Sequence, residues 1–321
     1  MTRPGESHTD RPPTLARVTL VCCGLATLDV VQRVDRVPAP DEKLVAAGLE
    51  VTFGGPAANA AATAAALGVP TVLVTALGSG PIARLVGDGL AAAGVRVVDL
   101  AAAWPGDPPV STVLVTAATG ERAVVSTNAT LRPDDLGPAA ERAAAEVLDT
   151  ATAVLVDGHH LAAAVAIAAA ARRRGIPVLA DGGSWKPGLE RLLAQVDVAI
   201  LSADFVVPGS EERTHDERAY DERLVLDAVA ALGPSFVAQS AGPGPVRVRL
   251  PSGTRDDVTP PRVEPDEVVD TLGAGDVLHG AAAAALARGA DPMGALREGI
   301  EQATESVRHR GALGWSLVRG A

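Results

Sequence analysis

The chain has 321 residues, of which 47% are hydrophobic but only 2% aromatic, so a large core has to be built from Ala, Val and Leu. Its formal net charge of −11 argues against a general binder of nucleic acids or membrane surfaces. Cys22 and Cys23 are the only cysteines, and sequence neighbours rarely form a disulfide, which predicts a reducing, cytoplasmic location.

The chain begins with a polar, proline-rich stretch at 1–16, which predicts a disordered leader. It does not resemble a signal peptide, because the apolar run at 18–26 is short and Asp29 follows it closely. The longest apolar stretch, 161–171, is about half as long as a membrane span and ends in three arginines, so it predicts a core-facing helix.

Beyond the leader, short apolar runs alternate with alanine-rich helical segments. Several runs are apolar on both faces, which is typical of a parallel sheet covered by helices on both sides. The sequence therefore predicts a doubly wound, mostly parallel α/β fold with helices on both faces. The predicted strands are 17–24, 70–77, 95–100, 152–157, 177–181, 197–201 and 235–239. The predicted helices are 56–67, 81–93, 137–147, 160–174, 187–194, 211–232, 275–288 and 293–309.

Two segments, 31–55 and 110–127, interrupt this alternation. Both have alternating or β-branched patterns with turn signals, and the second predicts a hairpin around residues 117–120. Each is too small to fold alone, so we expect them to form together a small β-sheet that covers the carboxyl edge of the main sheet as a lid. The α/β core would then comprise 17–30, 56–109 and 128–321.

The stretch 268–289 has the clearest chemical pattern. Gly273 and Gly275 open a long alanine-rich helix, whose N-terminus offers unpaired N–H groups and a favourable dipole to an anion. Asp276 lies in the first helical turn. A carboxylate is a poor static neighbour for a bound phosphate, but it suits a base that takes a proton from an attacking hydroxyl. For Asp276 taken alone, an ordinary N-terminal helix charge is the alternative.

The segment 270–276 (DTLGAGD) resembles the carboxyl-terminal signature of the ribokinase family of sugar and nucleoside kinases. The amino-terminal signature of that family is matched by 54–59 (GGPAAN), in the right order and far upstream. The resemblance extends over about 17–315. It implies a ribokinase-like fold, a β-sheet lid, and the use of ATP and Mg²⁺.

By this resemblance, Asp276 is the catalytic base. The anion hole would be formed by backbone N–H groups of Gly273, Ala274, Gly275 and Asp276. The residues that bind acceptor hydroxyls would be Asp29, Gly54, Gly55 and Asn59. A carboxylate and an amide offer the acceptor and donor atoms that recognition of a polyol needs.

Two further segments resemble the nucleotide side of the family. The turn 239–244 matches the family's Thr-x-Gly-x-x-Gly turn only in part, because the second family glycine falls on Pro245. The helix end 303–312 resembles the helix that flanks the adenine. An ordinary turn and an ordinary amphipathic helix are the alternatives. The implied nucleotide-binding residues are Ser240, Gly242, Gly244, Ala303 and Ser306.

The chain departs from the family pattern at the expected metal motif. Family members often carry an Asn-x-x-Glu motif that supports magnesium through water, whereas this chain has LSADF at 201–205. Asp181 and Asp204 are the candidate substitutes, and Asp270 lies near a candidate monovalent-cation site. Many members also have Gly-x-Asp after the third strand, where this chain has LGSGPIARLVGDGL. These two departures, with SAD at 202–204 and the segment 110–125, resemble the ketohexokinase-type branch, which implies a ketose in furanose form. Against that branch, Pro56 replaces an expected polar residue.

A dinucleotide-binding function is one alternative, because Gly78-x-Gly80-x-x-Ala83 follows a strand and opens a helix, with Asp99 further on. It is disfavoured because this unit is not the first in the chain and because no dehydrogenase explains 268–289. A catalytically silent sugar-binding protein on a kinase fold is the second alternative, motivated by the missing metal motif.

Together these patterns predict ATP-dependent phosphorylation of a primary hydroxyl on a small sugar or sugar-like substrate. A lid sheet would leave an exposed edge, so we expect a homodimer formed through it. His279 follows Asp276 by one helical turn and either lines the pocket or packs in the core.

Overall fold

The structure is a computed structural model that describes residues 18–130, 135–209 and 222–319. In chain order the strands are β1 (Leu20–Cys23), β2 (Thr27–Val34), β3 (Gly48–Gly54), β4 (Thr71–Thr75), β5 (Val95–Asp99), β6 (Val110–Thr116), β7 (Arg122–Ser126), β8 (Ala153–Val156), β9 (Val178–Gly182), β10 (Val198–Leu201), β11 (Phe236–Ala241), β12 (Gly244–Arg249) and β13 (Arg255–Val258). The α-helices are α1 (Pro56–Ala66), α2 (Pro81–Ala92), α3 (Gly137–Val147), α4 (Leu161–Arg173), α5 (Leu189–Leu193), α6 (Glu222–Leu232), α7 (Ala274–Ala287), α8 (Pro292–Ser306) and α9 (Gly314–Arg319).

Some sequence predictions fall wholly or partly outside these ranges. The leader at 1–16 is not among the described residues, and neither is the first half of the helix predicted at 211–232. Within the ranges that are described, no helix combines the length and the apolar character needed to cross a membrane.

Among the described residues, nine strands form a large sheet in the order β13-β12-β11-β10-β9-β8-β1-β4-β5. The pairs from β5 to β11 are parallel. Every residue of β1, β8, β9 and β10 is buried, which explains why these strands are apolar on both faces. The predicted doubly wound, mostly parallel α/β fold is confirmed.

The hairpin of β12 and β13 is missing from the predicted strands. It joins the large sheet antiparallel to β11. In β12, Val246 and Val248 are buried and alternate with Arg247 and Arg249, the pattern of a strand with one solvated face. A glycine and a proline begin this strand, so its start resembles a loop in the sequence.

The core consists largely of small side chains, and α7 packs closely against both α1 and α8. A Cβ at Gly280 in α7 would overlap the carbonyl oxygen of Ala60 in α1. A Cβ at Gly299 in α8 would lie 2.6 Å from the carbonyl oxygen of Leu278. The backbones therefore approach more closely than any side chain would allow. This packing fixes the amino-terminal half of α1 relative to the start of α7.

In the described part of the chain, four further strands form a second, small sheet in the order β3-β2-β6-β7. Strands β2 and β3, and likewise β6 and β7, are antiparallel, whereas β2 and β6 are parallel. The hairpin between β6 and β7 turns within residues 117–121, with Gly120 at φ 71. The predicted small β-sheet beside the α/β core is confirmed.

The first strand is shorter than predicted. It ends at Cys23, and Asp29, which follows the same apolar run, belongs to β2 of the small sheet. The cause is a turn between the two strands, where the N–H of Leu25 donates a 2.7 Å hydrogen bond to the carboxylate of Asp157. The predicted boundary between the α/β core and the small sheet, at residue 30, therefore falls within β2.

Candidate active site

The amino-terminal end of α7 is open to a ligand. Gly273 precedes the helix at φ 76, a left-handed conformation that suits glycine. In the described part of the chain no side chain caps this helix, and a Cβ at Gly275 would meet nothing within 4 Å. The N–H of Ala274 contacts the carbonyl oxygen of Thr271 at 3.3 Å. The N–H groups of Gly275 and Asp276 are therefore the donors best placed for an anion.

Asp276 is joined to the first sequence motif. The Nδ2 amide of Asn59 in α1 donates a 2.7 Å hydrogen bond to Oδ2 of Asp276. Burial raises the pKa of Asp276 to about 7, and the charge of Asp181 adds to the rise, while the hydrogen bond from Asn59 opposes it. A carboxylate with such a pKa can accept a proton near neutral pH. The two predicted motifs thus converge on one carboxylate.

The glycine pair of the first motif makes room for its neighbours. Gly55 has φ 95, and a Cβ there would lie 2.6 Å from the carbonyl oxygen of Leu25. A Cβ at Gly54 would overlap the carboxylate of Asp29, so that side chain lies directly over Gly54. Asp29 also accepts a 2.6 Å hydrogen bond from the hydroxyl of Thr27. Burial raises the pKa of Asp29, and this hydrogen bond opposes the rise.

Asp157 organises the site but was absent from the predicted residues. It is 4% exposed and follows β8. Its Oδ2 accepts hydrogen bonds from the N–H groups of Leu25 at 2.7 Å and Ala57 at 3.2 Å, and its Oδ1 accepts one from His159 at 2.9 Å. One carboxylate thus ties the β1–β2 connection to the first turn of α1. No local signal identifies it, because two of its partners lie 132 and 100 positions away.

Asp181, one of the two candidate magnesium ligands, contacts a histidine. Its Oδ2 lies 3.4 Å from Nδ1 of His279, and both side chains are buried. The other ring nitrogen of His279, Nε2, lies 3.1 Å from the carbonyl oxygen of Ile200. Burial raises the pKa of Asp181, and His279 opposes the rise.

The described residues do not form a protein cage for Mg²⁺. No three His, Cys, Asp or Glu side chains in these ranges are grouped so as to hold a metal ion. Asp204, the other candidate, is exposed on the turn after β10. A magnesium ion in this site would be held mainly by nucleotide phosphates and water, as is common for this ion.

The predicted nucleotide-binding residues lie at the carboxyl end of β11 and in α8. Ser240 is in β11, and Gly242, at φ 58, lies in the turn that leads to Gly244 at the start of β12. Ser306 is buried, and its hydroxyl donates a 2.7 Å hydrogen bond to the carbonyl oxygen of Ala303. The hydroxyl of Ser306 is therefore already used inside the helix.

Asp270 shapes the loop that leads into α7. Its Oδ1 accepts a 2.9 Å hydrogen bond from the N–H of Leu272, and its Oδ2 accepts one of 3.0 Å from Gly311. The N–H groups of Val269 and Asp270 in turn donate to the carbonyl oxygen of Val307 at 2.8 and 3.1 Å. The end of α8 is thereby attached to the loop that precedes Asp276.

The small sheet reaches this loop through Arg122. Its Nη1 lies 3.4 Å from the hydroxyl of Thr271. Asp29 pairs with Ser111 across β2 and β6, and Arg122 pairs with Val115 across β6 and β7. Ser111 and Val115 are four positions apart on β6, so they lie on the same face. Asp29 and Arg122 therefore project from the same face of the small sheet, and this face is turned toward α7.

The backbone N–H groups around the glycine pattern at 78–83 are bound by carboxylates of the chain itself. The Oδ1 of Asp107 accepts the N–H groups of Ile82 at 2.8 Å and Ala83 at 3.0 Å, so a carboxylate of the chain itself occupies the N-terminus of α2. Asp99 accepts two backbone N–H groups of the loop before that helix. The groups that a dinucleotide would need are thus engaged within the chain, which removes the basis of the dehydrogenase alternative.

The chain is similar to kinases of known sequence and structure. A ribokinase from Bacillus subtilis is 27% identical over 299 residues, which cover 92% of this chain and 95% of the relative. The structure of Arabidopsis thaliana ribokinase complexed with ribose and ATP matches with a TM-score of 0.71 at 22% identity, over 94% of this chain and 97% of the other. A microbiome-derived acarbose kinase matches with a TM-score of 0.74 at 22% identity, over 90% and 92%.

These structural likenesses show the fold. The sequence model of the family described as pfkB family carbohydrate kinase matches residues 18–316, which include both signature motifs. The protein therefore belongs to the pfkB family of ATP-dependent carbohydrate kinases.

Proposed function

We propose that the protein transfers the γ-phosphoryl group of ATP to a primary hydroxyl of a small sugar, with Asp276 as the catalytic base. The observation that carries this proposal is the position of Asp276. It is the third residue of a helix that no described side chain caps, and its carboxylate is oriented by the 2.7 Å hydrogen bond from Asn59. A base and an anion site are thereby adjacent at one helix end.

In the proposed reaction, the acceptor oxygen attacks the γ-phosphorus in line while its proton passes to Asp276. The bond from Asn59 engages Oδ2, so Oδ1 is the oxygen that takes the proton. The N–H groups of Gly275 and Asp276 stabilise the charge that develops on the transferred group. Magnesium bound to ATP would offset the charge of the phosphates.

The acceptor would bind between α1 and the small sheet. Asp29 and Asn59 offer a carboxylate and an amide to its hydroxyls, and the backbone at Gly54 and Gly55 allows a close approach. We favour a ketose in furanose form, because the segment LSADF at 201–205 resembles the ketohexokinase-type branch. The small sheet would act as a lid, since its face with Asp29 and Arg122 is turned toward α7.

ATP would lie along the carboxyl edge of the large sheet. The turn with Ser240, Gly242 and Gly244 would follow its phosphates, and the last turn of α8, with Ala303 and Ser306, would flank the adenine. This arrangement is supported by the link between the end of α8 and the loop before Asp276. A monovalent cation near Asp270 would act on the same loop.

We further propose that two copies of the chain pair through their small sheets. Leu49, Val51 and Val125 lie on the same face of this sheet and are 67%, 48% and 74% exposed, so they form an apolar patch that a partner could cover. We also propose a reducing, cytoplasmic location, since Cys22 and Cys23 are both free thiols.

The test of the function is an assay of the full chain with ATP, Mg²⁺ and a panel of ketoses, aldoses and nucleosides. ADP formation should depend on a sugar, ketoses should be preferred, and NMR of the product should place the phosphate on a primary carbon. Binding of a sugar without turnover of any acceptor would contradict the proposal and favour the catalytically silent alternative.

A further inference from the structure

One buried carboxylate joins the two chain segments that lead to the proposed acceptor-binding side chains. The segment 24–26 leads into β2, which carries Asp29, and the segment 55–58 opens α1, which carries Asn59. Asp157, which directly follows β8, is buried and contacts both segments. The proposed reaction does not use Asp157. A buried carboxylate is costly unless its oxygens are hydrogen-bonded, so its partners define its role.

The two oxygens of Asp157 have separate partners. Oδ2 accepts the N–H of Leu25 at 2.7 Å and the N–H of Ala57 at 3.2 Å, so a single oxygen joins both segments. Oδ1 accepts the N–H of His159 at 2.9 Å, which closes a local turn two residues along the chain. The connection between the segments therefore depends on Oδ2, whereas Oδ1 shapes only the loop that contains Asp157.

The start of α1 is held by groups from other parts of the chain. Gly55 precedes the helix and has no side chain with which to cap it. The N–H of Ala57 instead donates to Asp157. The N–H of Ala58 donates to the carbonyl oxygen of Leu25 at 3.3 Å. The position of the first turn of α1 therefore depends on Asp157, both directly and through Leu25.

Two glycines allow the segments to close around this carboxylate. A Cβ at Gly55 would lie 2.6 Å from the carbonyl oxygen of Leu25, so the two segments are in backbone contact. A Cβ at Gly24 would overlap the carboxyl group of Asp157. Gly24 does not have a positive φ angle, so it serves here by leaving space and not by its backbone conformation.

We propose that Asp157 is a positioning residue for the acceptor, because its Oδ2 sets the spacing between the strand that carries Asp29 and the helix that carries Asn59. This inference rests on the proposed role of those two residues in binding the acceptor. Without Oδ2, the segments 24–26 and 55–58 would separate, and the acceptor could not contact both side chains in one pose. ATP should bind as before, since its proposed contacts lie on β11 and α8.

Kinetics of the full chain at about pH 8.5 test this proposal, with the sugar that wild type phosphorylates best as the probe. This pH lies above the pKa of about 7 at Asp276, so the base is mostly ionised in every variant. We expect Asp157→Ala to raise the KM of the sugar roughly tenfold and to leave the KM of ATP within about twofold of wild type. Asp149→Ala, exposed after α3, is the matched control and should change neither value.

Two further variants separate the position of the carboxyl group from its charge. Asp157→Asn can keep an oxygen in the place of Oδ2 but loses the charge, so the KM of the sugar should stay within about threefold of wild type. Gly24→Ala keeps the charge but displaces the carboxyl group, so it should raise this KM. The double variant of Gly24→Ala and Asp157→Ala should be no worse than Asp157→Ala alone, because both changes disrupt the same contact.

Three outcomes would overturn the proposal. A purely structural role predicts a lower Tm for Asp157→Ala with both KM values unchanged. A role of the charge predicts the same rise in the KM of the sugar for Asp157→Asn and Asp157→Ala. Effects that multiply in the double variant would show that Gly24 and Asp157 act independently. Thermal unfolding shows whether each variant is folded at the assay temperature, and Gly24→Ala decides if Asp157→Ala is not.

Hydrogen–deuterium exchange of the full chain gives a readout that does not depend on catalysis. In Asp157→Ala, the segments 24–26 and 55–58 lose a shared acceptor, so both should exchange roughly tenfold faster, while β11 should exchange as in wild type. Unchanged exchange in either segment would contradict the proposal. If wild type phosphorylates no acceptor, the proposed function fails, while the exchange result still decides whether Asp157 holds the two segments together.

Discussion

The amide of Asn59 and the carboxylate of Asp276 are joined by a 2.7 Å hydrogen bond, although 217 positions separate them in the chain. The close approach of α1 and α7 at Gly280 brings them together. The orientation of the base therefore depends on how two helices pack. Residues far from the reacting atoms should accordingly affect the rate.

Replacing Asp276 with Asn should remove the base while preserving the shape of the site. We expect kcat to fall by about 10²–10⁴-fold with little change in the KM values, because general base catalysis contributes about this much. Steady-state kinetics with the best acceptor measures the effect. Asp88→Asn, on the exposed face of α2, is the matched control. A near-normal rate for Asp276→Asn would rule out this residue as the base.

The same substitution should stabilise the fold at alkaline pH. Burial raises the pKa of Asp276 to about 7, above its ordinary value near ~4, so the folded state binds this proton more tightly than the unfolded state. The stability that this proton contributes is therefore lost as the pH rises from about 4 to about 7. Asp276→Asn should therefore raise Tm by about 2–4 °C at pH 8 and by much less at pH 4.5. Thermal unfolding at the two pH values checks the sign.

Removing the amide of Asn59 should shift the pH profile. Wild-type activity should fall as the pH drops through about 7, where Asp276 becomes protonated. The hydrogen bond from Asn59 favours the ionised form, so Asn59→Ala should move this acidic limb to higher pH. The pH dependence of kcat, measured for wild type and for Asn59→Ala, tests this shift of the acidic limb. An unchanged limb would mean that Asn59 binds the acceptor without influencing the base.

Adding a single methyl group at Gly280 should disturb both stability and rate. The new Cβ would overlap the backbone of Ala60, so α1 and α7 would have to separate. We expect a loss of about 1–3 kcal/mol in the free energy of unfolding, as is usual for overpacking, together with a lower kcat. Gly87→Ala in α2 is the control, because a Cβ there would be 3.9 Å from its nearest neighbour. Denaturant unfolding and kinetics would show both effects.

Arg122→Ala should weaken the contact between the small sheet and the loop before α7. Because Arg122 is exposed, we expect little change in Tm but a several-fold rise in the KM of the acceptor. Lysine at this position should restore the affinity in part, since it retains the charge but lacks the planar fork of donors. Arg142→Ala, exposed on α3, is the control. Equal KM values in Arg122→Ala and this control would show that the contact has no part in binding.

The sequence predicts those parts of the site whose residue types form a recognisable local pattern. Gly273 before Asp276 and the glycines before Asn59 occupy backbone positions that suit glycine alone, and the apolar strands identify the parallel sheet. By contrast, Asp157 and the contact of Asp181 with His279 depend on partners that the fold brings from distant parts of the chain. An aspartate at a strand end looks the same in sequence whichever partner it meets.

The end of β1, just before Asp29, is also hard to predict from the sequence. The apolar run before it has no clear end, and β1 stops at Cys23 only because the next residues turn toward Asp157. Likewise, the hairpin of β12 and β13 has one solvated face and a start rich in glycine and proline. Its pattern is therefore weaker than that of the buried strands.

The helix ends of this fold differ in their capacity to select an anion. Asp107 occupies the N-terminus of α2, and Asp291 caps α8 in the same manner through the N–H groups of Met293 and Gly294. A tethered carboxylate has a high effective concentration, so dissolved phosphate cannot readily displace it. Within the described ranges, no side chain competes in this way at the start of α7. We therefore expect a polyanionic ligand to favour the helix end beside Asp276 over the starts of α2 and α8, which the chain's own carboxylates already occupy.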